Sequence, residues 1–190
     1  MHLNYILLTK FILHYYLIKV ASPNTYDPYY KQPELLGSLE QLRALLNKYD
    51  LFEGLPISDD DLQATRSYRD QLRHYIAMEN DSDLVQILNE FEQRSPIQPR
   101  LQIKPDHSFD YVYEQHPGRE ISVADRISAI CAFTLGGVLV EYGRGRLKMC
   151  ASPPCEELYV DQSKNGLQRF CSKRCSPRFH VKKHRHSNEI

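Results

Sequence analysis

The 190-residue sequence predicts an α+β fold: a mainly helical N-terminal domain with a small β-hairpin, then a cysteine-rich tail with the layout of a treble clef. Three observations carry this. Between residues 38 and 139, apolar residues recur at helical spacing behind capping residues. Residues 101–103 and 109–113 alternate apolar and polar side chains, as a half-buried hairpin does. Four of the five cysteines fall in the tail, as Cys150-x4-Cys155 and Cys171-x3-Cys175.

The first 22 residues are apolar but carry Lys10, His14 and Lys19. A membrane span needs ~20 mostly uncharged residues. A signal peptide needs an unbroken apolar centre of roughly 7–15 residues. The segment is read as a buried strand rich in Tyr, Ile and Leu, and no membrane partner is expected. A Pro/Tyr/Asn loop over 22–33 follows. Ser38-Leu39-Glu40-Gln41 then starts a short helix with Leu39, Leu42, Leu45 and Leu46 on one face. Gly54 and Pro56 break the chain. Ser58 and three acids, Asp59 to Asp61, open a longer helix, where negative charge suits the positive end of the helix dipole. Leu62, Tyr68 or Arg69, Leu72 and Ile76 mark its inner side. Asn80 to Asp83 turn into a third helix with Leu84, Ile87, Leu88 and Phe91 inward, ending before Pro96. After the hairpin, Ser122 caps a helix running through Ile127, Ile130, Cys131 and Leu135, which Gly136-Gly137 weakens. Gly143 and Gly145 form a hinge into the tail.

Two short cysteine bites suit one tetrahedral zinc ion, which takes four such ligands at about 2.3 Å. His180 or His184 could replace one cysteine. The connection reads as two strands, Leu158 to Val160 and Gln168 to Phe170, joined at an Asn165-Gly166 turn. Ser176-Pro177 reads as a helix N-cap and first residue. Knuckle, hairpin and helix make a treble clef. Four protein ligands leave no open position for water, so the expected role of the zinc is structural.

These residues resemble the CGNR zinc finger, a bacterial module. The matching pieces are Tyr159-Val160-Asp161-Gln162-Ser163, Phe170-Cys171-Ser172 and Cys175-Ser176-Pro177-Arg178. Ser-Pro stands where the family has Gly-Asn. The body resembles the ABATE domain, which precedes this finger in a family described as stress-induced transcription regulators. Asn24-Thr25, Leu62 to Arg66, Arg69, Leu72-Arg73 and Leu88-Asn89 carry that resemblance; residues 1–16 carry none. It implies a sensing or dimerising domain over 1–143, a finger over 146–190, DNA as partner, a small-molecule or protein effector, and a homodimer. Coupling between effector and finger is likewise implied by the family and the two-domain layout.

Charge supports part of this independently. Residues 142–190 hold eleven Lys/Arg against four Asp/Glu, a net of +7, and the remainder carries −7. A polyanion partner is expected for the tail. Lys173, Arg174, Arg178, Lys182, Lys183 and Arg185 are the candidate DNA-binding residues, free of interleaved acids until Glu189. An adaptor that meets an acidic protein surface is the alternative. In the body, Asn24, Arg66, Arg69 and Asn89 are candidates for a ligand pocket. No P-loop, glycine fingerprint or nucleophile elbow occurs, so an enzyme is not expected. Cys131 reads as a small buried hydrophobe. With four cysteines on metal, no disulfide is implied, which fits a reducing cytoplasm.

Overall fold

Side-chain caps fix where the body helices begin. The computed structural model describes residues 23–48, 54–78, 80–95, 98–114 and 121–187, so the strand expected over 1–22 lies outside the described residues. Helix α1 (Leu39–Lys48) starts where Ser38 Oγ accepts the Gln41 N–H at 3.3 Å and Gln41 Oε1 accepts the Ser38 N–H at 3.1 Å. Helix α2 (Asp59–Ala77) carries a full capping box between Ser58 and Asp61. The second Asp61 oxygen accepts the Ala124 N–H at 3.2 Å, so one carboxylate secures the starts of two helices. Burial alone would raise its pKa; the hydrogen bonds from Ser58 and Ala124 outweigh that and hold it below the usual carboxylate range. Helix α3 (Asp81–Arg94) is capped by Asn80, and α4 (Val123–Tyr142) by Ser122.

Helix α4 is the core of the body. It packs against both α2 and α3, and twelve of its twenty residues are buried. By length and composition it could cross a membrane. Its burial against the other helices identifies it instead as a core helix. Gly136-Gly137 does not end it, because tertiary packing overrides a local propensity of about 1 kcal/mol per glycine. It stops at Gly143, whose φ of +74° suits glycine and whose N–H reaches Leu139 O at 3.0 Å. Phe91, Leu84, Leu72, Leu42 and Leu46 fill the space around it, each almost fully buried.

Strands β1 (Gln98–Ile103) and β2 (Phe109–Glu114) form an antiparallel hairpin in which Ile103 faces Phe109. A 3-10 turn over Arg144–Arg146 leads into β3 (Leu147–Met149), which pairs antiparallel with β4 (Leu158–Val160). The last helix, α5, spans Cys175–Ser187. It begins at Cys175 rather than after Ser176, and Pro177 falls in its first turn, where its missing N–H would have no intrahelical partner anyway.

The tail does not swing on a free hinge. Leu147 and Leu158 belong to the same buried cluster as the body's leucines. Asn24, from the loop before α1, gives its side-chain amide to both backbone groups of Leu158: it donates to the carbonyl at 2.8 Å and accepts the N–H at 2.7 Å. The amide stands in for a neighbouring strand. Arg73 of α2 bonds Glu156 at 2.7 Å, and Arg144 bonds Ile76 O at 2.5 Å. Replacing Asn24 with Ala leaves both Leu158 groups without these partners. It should lower stability by about 1–3 kcal/mol in urea titration. Asn89→Ala, at an exposed position on α3, should stay within about 0.5 kcal/mol of the parent.

Candidate metal centre

Local backbone bonds deliver three of the four tail cysteines. Cys150 follows β3, and its N–H bonds Glu157 O at 2.9 Å, closing the knuckle. Cys155 turns back through its N–H to Ser152 O at 2.9 Å. Cys175 opens α5 with its N–H on Ser172 O at 3.2 Å. Cys171 completes the set beside them. All four Sγ atoms lie within 4.8 Å of one another, with Cys155 to Cys171 at 3.7 Å and Cys171 to Cys175 at 3.5 Å. A tetrahedron with ~2.3 Å zinc–sulfur bonds has edges of about 3.8 Å. The cluster therefore fits one zinc ion held by Cys150, Cys155, Cys171 and Cys175. His180 is exposed with its ring against Phe179 and Phe170, and neither it nor His184 joins the cluster.

The thiols' environment couples metal to protons. Burial pushes the Cys155 thiol up to about 11. Burial, with the Glu157 carboxylate nearby, pushes Cys171 higher still. Cys175 moves the other way, because hydrogen bonds from Ser172 and the neighbouring thiols outweigh burial. Zinc must displace protons from such a site.

Asp161 organises the chain between the cysteine pairs. Its side chain is fully buried, and its N–H bonds Arg146 O at 2.7 Å. One carboxylate oxygen accepts the Ser163 N–H at 2.9 Å and hydroxyl at 2.5 Å. The other accepts Lys148 Nζ at 2.6 Å and the Gln168 N–H at 2.9 Å. Burial would raise its pKa, but these donors, Lys148 foremost, hold it far below the usual carboxylate range. The expected hairpin of Leu158 to Val160 with Gln168 to Phe170 is thereby corrected. The partner of β4 is β3, and 168–170 forms no strand. Asp161 accepts the Gln168 N–H, Tyr159 OH donates to Gln168 O at 2.7 Å, and the Ala151 N–H donates to Arg169 O at 2.9 Å. Two side-chain bonds and one backbone bond thus hold the segment in place of a second ladder. The turn expected at Asn165-Gly166 is present, with Gly166 at φ +66°.

The six basic candidates separate. Lys173, Arg174 and Lys182 are exposed and form no ion pair among the described residues. The side chains of Lys183 and Arg185 lie outside the described residues. Arg178, also named as a DNA-binding candidate, is partly buried and turned toward the cysteine cluster. Its Nη2 lies 3.2 Å from Cys175 Sγ and 3.4 Å from Ser152 O, and its Nε donates to Ser152 Oγ at 3.3 Å. Its guanidinium stacks 4.0 Å from the Tyr29 ring centre. The spacing could have shown this: three residues past Cys175 is the same helix face as the metal ligand. Phe179 packs on Phe170 with ring centres 5.3 Å apart, and Arg169 stacks over both.

The four pocket candidates do not share one set of surroundings among the described residues. Asn24 holds Leu158. Arg66 bonds Leu36 O at 2.6 Å, and Arg69 pairs with Glu34 at 2.7 Å and Asp70 at 2.8 Å. Asn89 is exposed on α3. Sequence reasoning missed the Lys148–Asp161 pair, because neither residue is polar patterning on a long element.

Comparison with known proteins agrees with this geometry. A family profile described as the CGNR zinc finger matches residues 146–187. No curated protein matches the chain. Zinc titrated into the metal-free chain near neutral pH should release at least two protons, one each from Cys155 and Cys171, and apparent affinity should rise with pH. Metal analysis should give one zinc per chain. Arg178→Ala, which removes the cation beside Cys175 but no ligand, should weaken zinc by roughly 10–100-fold in chelator competition.

Proposed function

We propose that the chain is a transcription regulator whose zinc-mounted helix α5 binds DNA and whose helical body receives an effector. The observation that carries this is the cationic surface of α5. Lys173 and Arg174, in the turn just before α5, and Lys182 on it are exposed and form no ion pair among the described residues, and the helix's first residue is one of the four clustered cysteines. Such a surface is costly in self-repulsion unless a polyanion compensates it. Zinc with four protein ligands adds rigidity and no catalytic position, so this reading includes no enzymatic role. The resemblance of the body to the ABATE domain supports a sensing role and, with it, a place in stress-induced gene regulation in a reducing cytoplasm. It supports pairing of two bodies in the same measure.

In this reading Arg174, one residue before the helix, reaches toward base edges, and Lys182 and Lys183 further along hold phosphates. Arg178 contributes indirectly, by bracing Cys175 against Ser152. An adaptor role gains some support from Val181 and Leu167, exposed at 51% and 75%. The two readings differ in salt response.

Duplex DNA titrated with the zinc-loaded chain should give a log–log salt slope of about −4, for roughly five phosphate contacts. The double substitution Lys182→Ala, Lys183→Ala should weaken all sequences alike and flatten the slope by about two. A salt-independent affinity, or no retention at low salt, would instead favour the adaptor.

A further inference from the structure

A cleft of about 680 Å³ opens at the seam between body and finger. Its body wall is the end of α2 and the start of α3, from Ile76, Ala77 and Asp81. Its finger wall brings Arg144, Lys148, Tyr159 and Arg169. Leu147 and Met149 of β3 add apolar surface.

The charges in this cleft do not balance. Three cations line it against one acid, Asp81. Lys148 is neutralised by the buried Asp161 at 2.6 Å. Arg169 is exposed, and its guanidinium stacks on Phe170 and Phe179 without an ion pair among the described residues. Arg144 spends two nitrogens on Ile76 O and Leu147 O. Its Nε is buried and has no hydrogen-bond acceptor among the described residues. The nearest carboxylate oxygen, from Asp81, stands 3.5 Å away and is set in a side chain that is 70% exposed. Each of its two terminal nitrogens carries a second N–H beyond the bonds to Leu147 O and Ile76 O, so Arg144 keeps donor capacity for a further acceptor.

We propose that this cleft binds a small organic carboxylate with an apolar body. The anionic end meets Arg144 and Arg169; the apolar end lies on Met149, Leu147 and the Tyr159 ring. Both walls contribute, so an occupant bridges finger and body. The cleft would supply the effector site of the reading above, yet its occupancy does not require DNA and is tested without it.

The test uses the zinc-loaded full chain and three probes: benzoate, its neutral isostere benzamide, and inorganic phosphate. Resonances of the Met149 methyl and the Tyr159 ring report binding. Benzoate at millimolar concentration should shift both saturably, and benzamide and phosphate should each bind at least tenfold more weakly. Arg144→Gln should weaken benzoate at least tenfold. Since Arg144 also braces the seam, Ala77→Trp, which fills the cleft from an exposed position, should abolish the shifts while zinc content and thermal unfolding stay those of the parent. Lys164→Gln, on the finger outside the cleft, should leave benzoate binding unchanged. Absence of saturable benzoate shifts overturns the proposal, as does phosphate or benzamide binding equally well, or benzoate binding that survives Ala77→Trp. Loss of DNA retention in the parent chain, with benzoate binding intact, would overturn only the DNA-binding reading.

Discussion

The four converging sulfurs are the constraint on which the finger is built, because its own apolar surface is small. Its two strands are three residues each, and its buried cluster beyond them is the sulfurs themselves with Phe170 alongside. A module of this size needs a staple. Sulfur from the knuckle and from the start of α5 meets at one point, and that junction sets the direction in which the helix leaves. Asp161 and Lys148 then hold the intervening loop, so that little of the chain between the cysteine pairs is left to the metal alone.

Charge is used in two opposite ways within the same stretch. Asp161, Lys148 and Arg178 are turned inward and matched, where removing one partner would leave a buried charge or a bare thiolate. Lys173, Arg174 and Lys182 are turned outward without acids of their own. Position relative to the metal separates the groups. Cys175 and Arg178 share a helix face, while Lys173 and Arg174 precede the helix on the outside of the turn.

Much of the fold was legible in the sequence, for identifiable reasons. Ser38, Ser58, Asn80 and Ser122 announce helices because a cap is a local interaction within three residues. The metal ligands were legible because their spacing is itself the constraint. The partner of β4 was not, since three-residue strands show no alternation and Leu147 looks like a continuation of the preceding turn. Asn24, Arg66 and Arg69 drew attention as polar residues of the body, but their partners lie 134, 30 and 35 residues away in sequence. Nothing local distinguishes a side chain that holds a distant backbone from one that lines a cavity.

The shared burial of Leu147 and Leu158 changes what a segment boundary means here. A cut at Gly143 falls at the end of a helix, where a modular view would place it. It would nonetheless strip two leucines from the body's interior and take away the backbone that Asn24 grips. Grafted onto another protein, the finger would arrive with an uncovered greasy underside, and the truncated body would keep a matching scar. The two parts are separable on paper and continuous in energy.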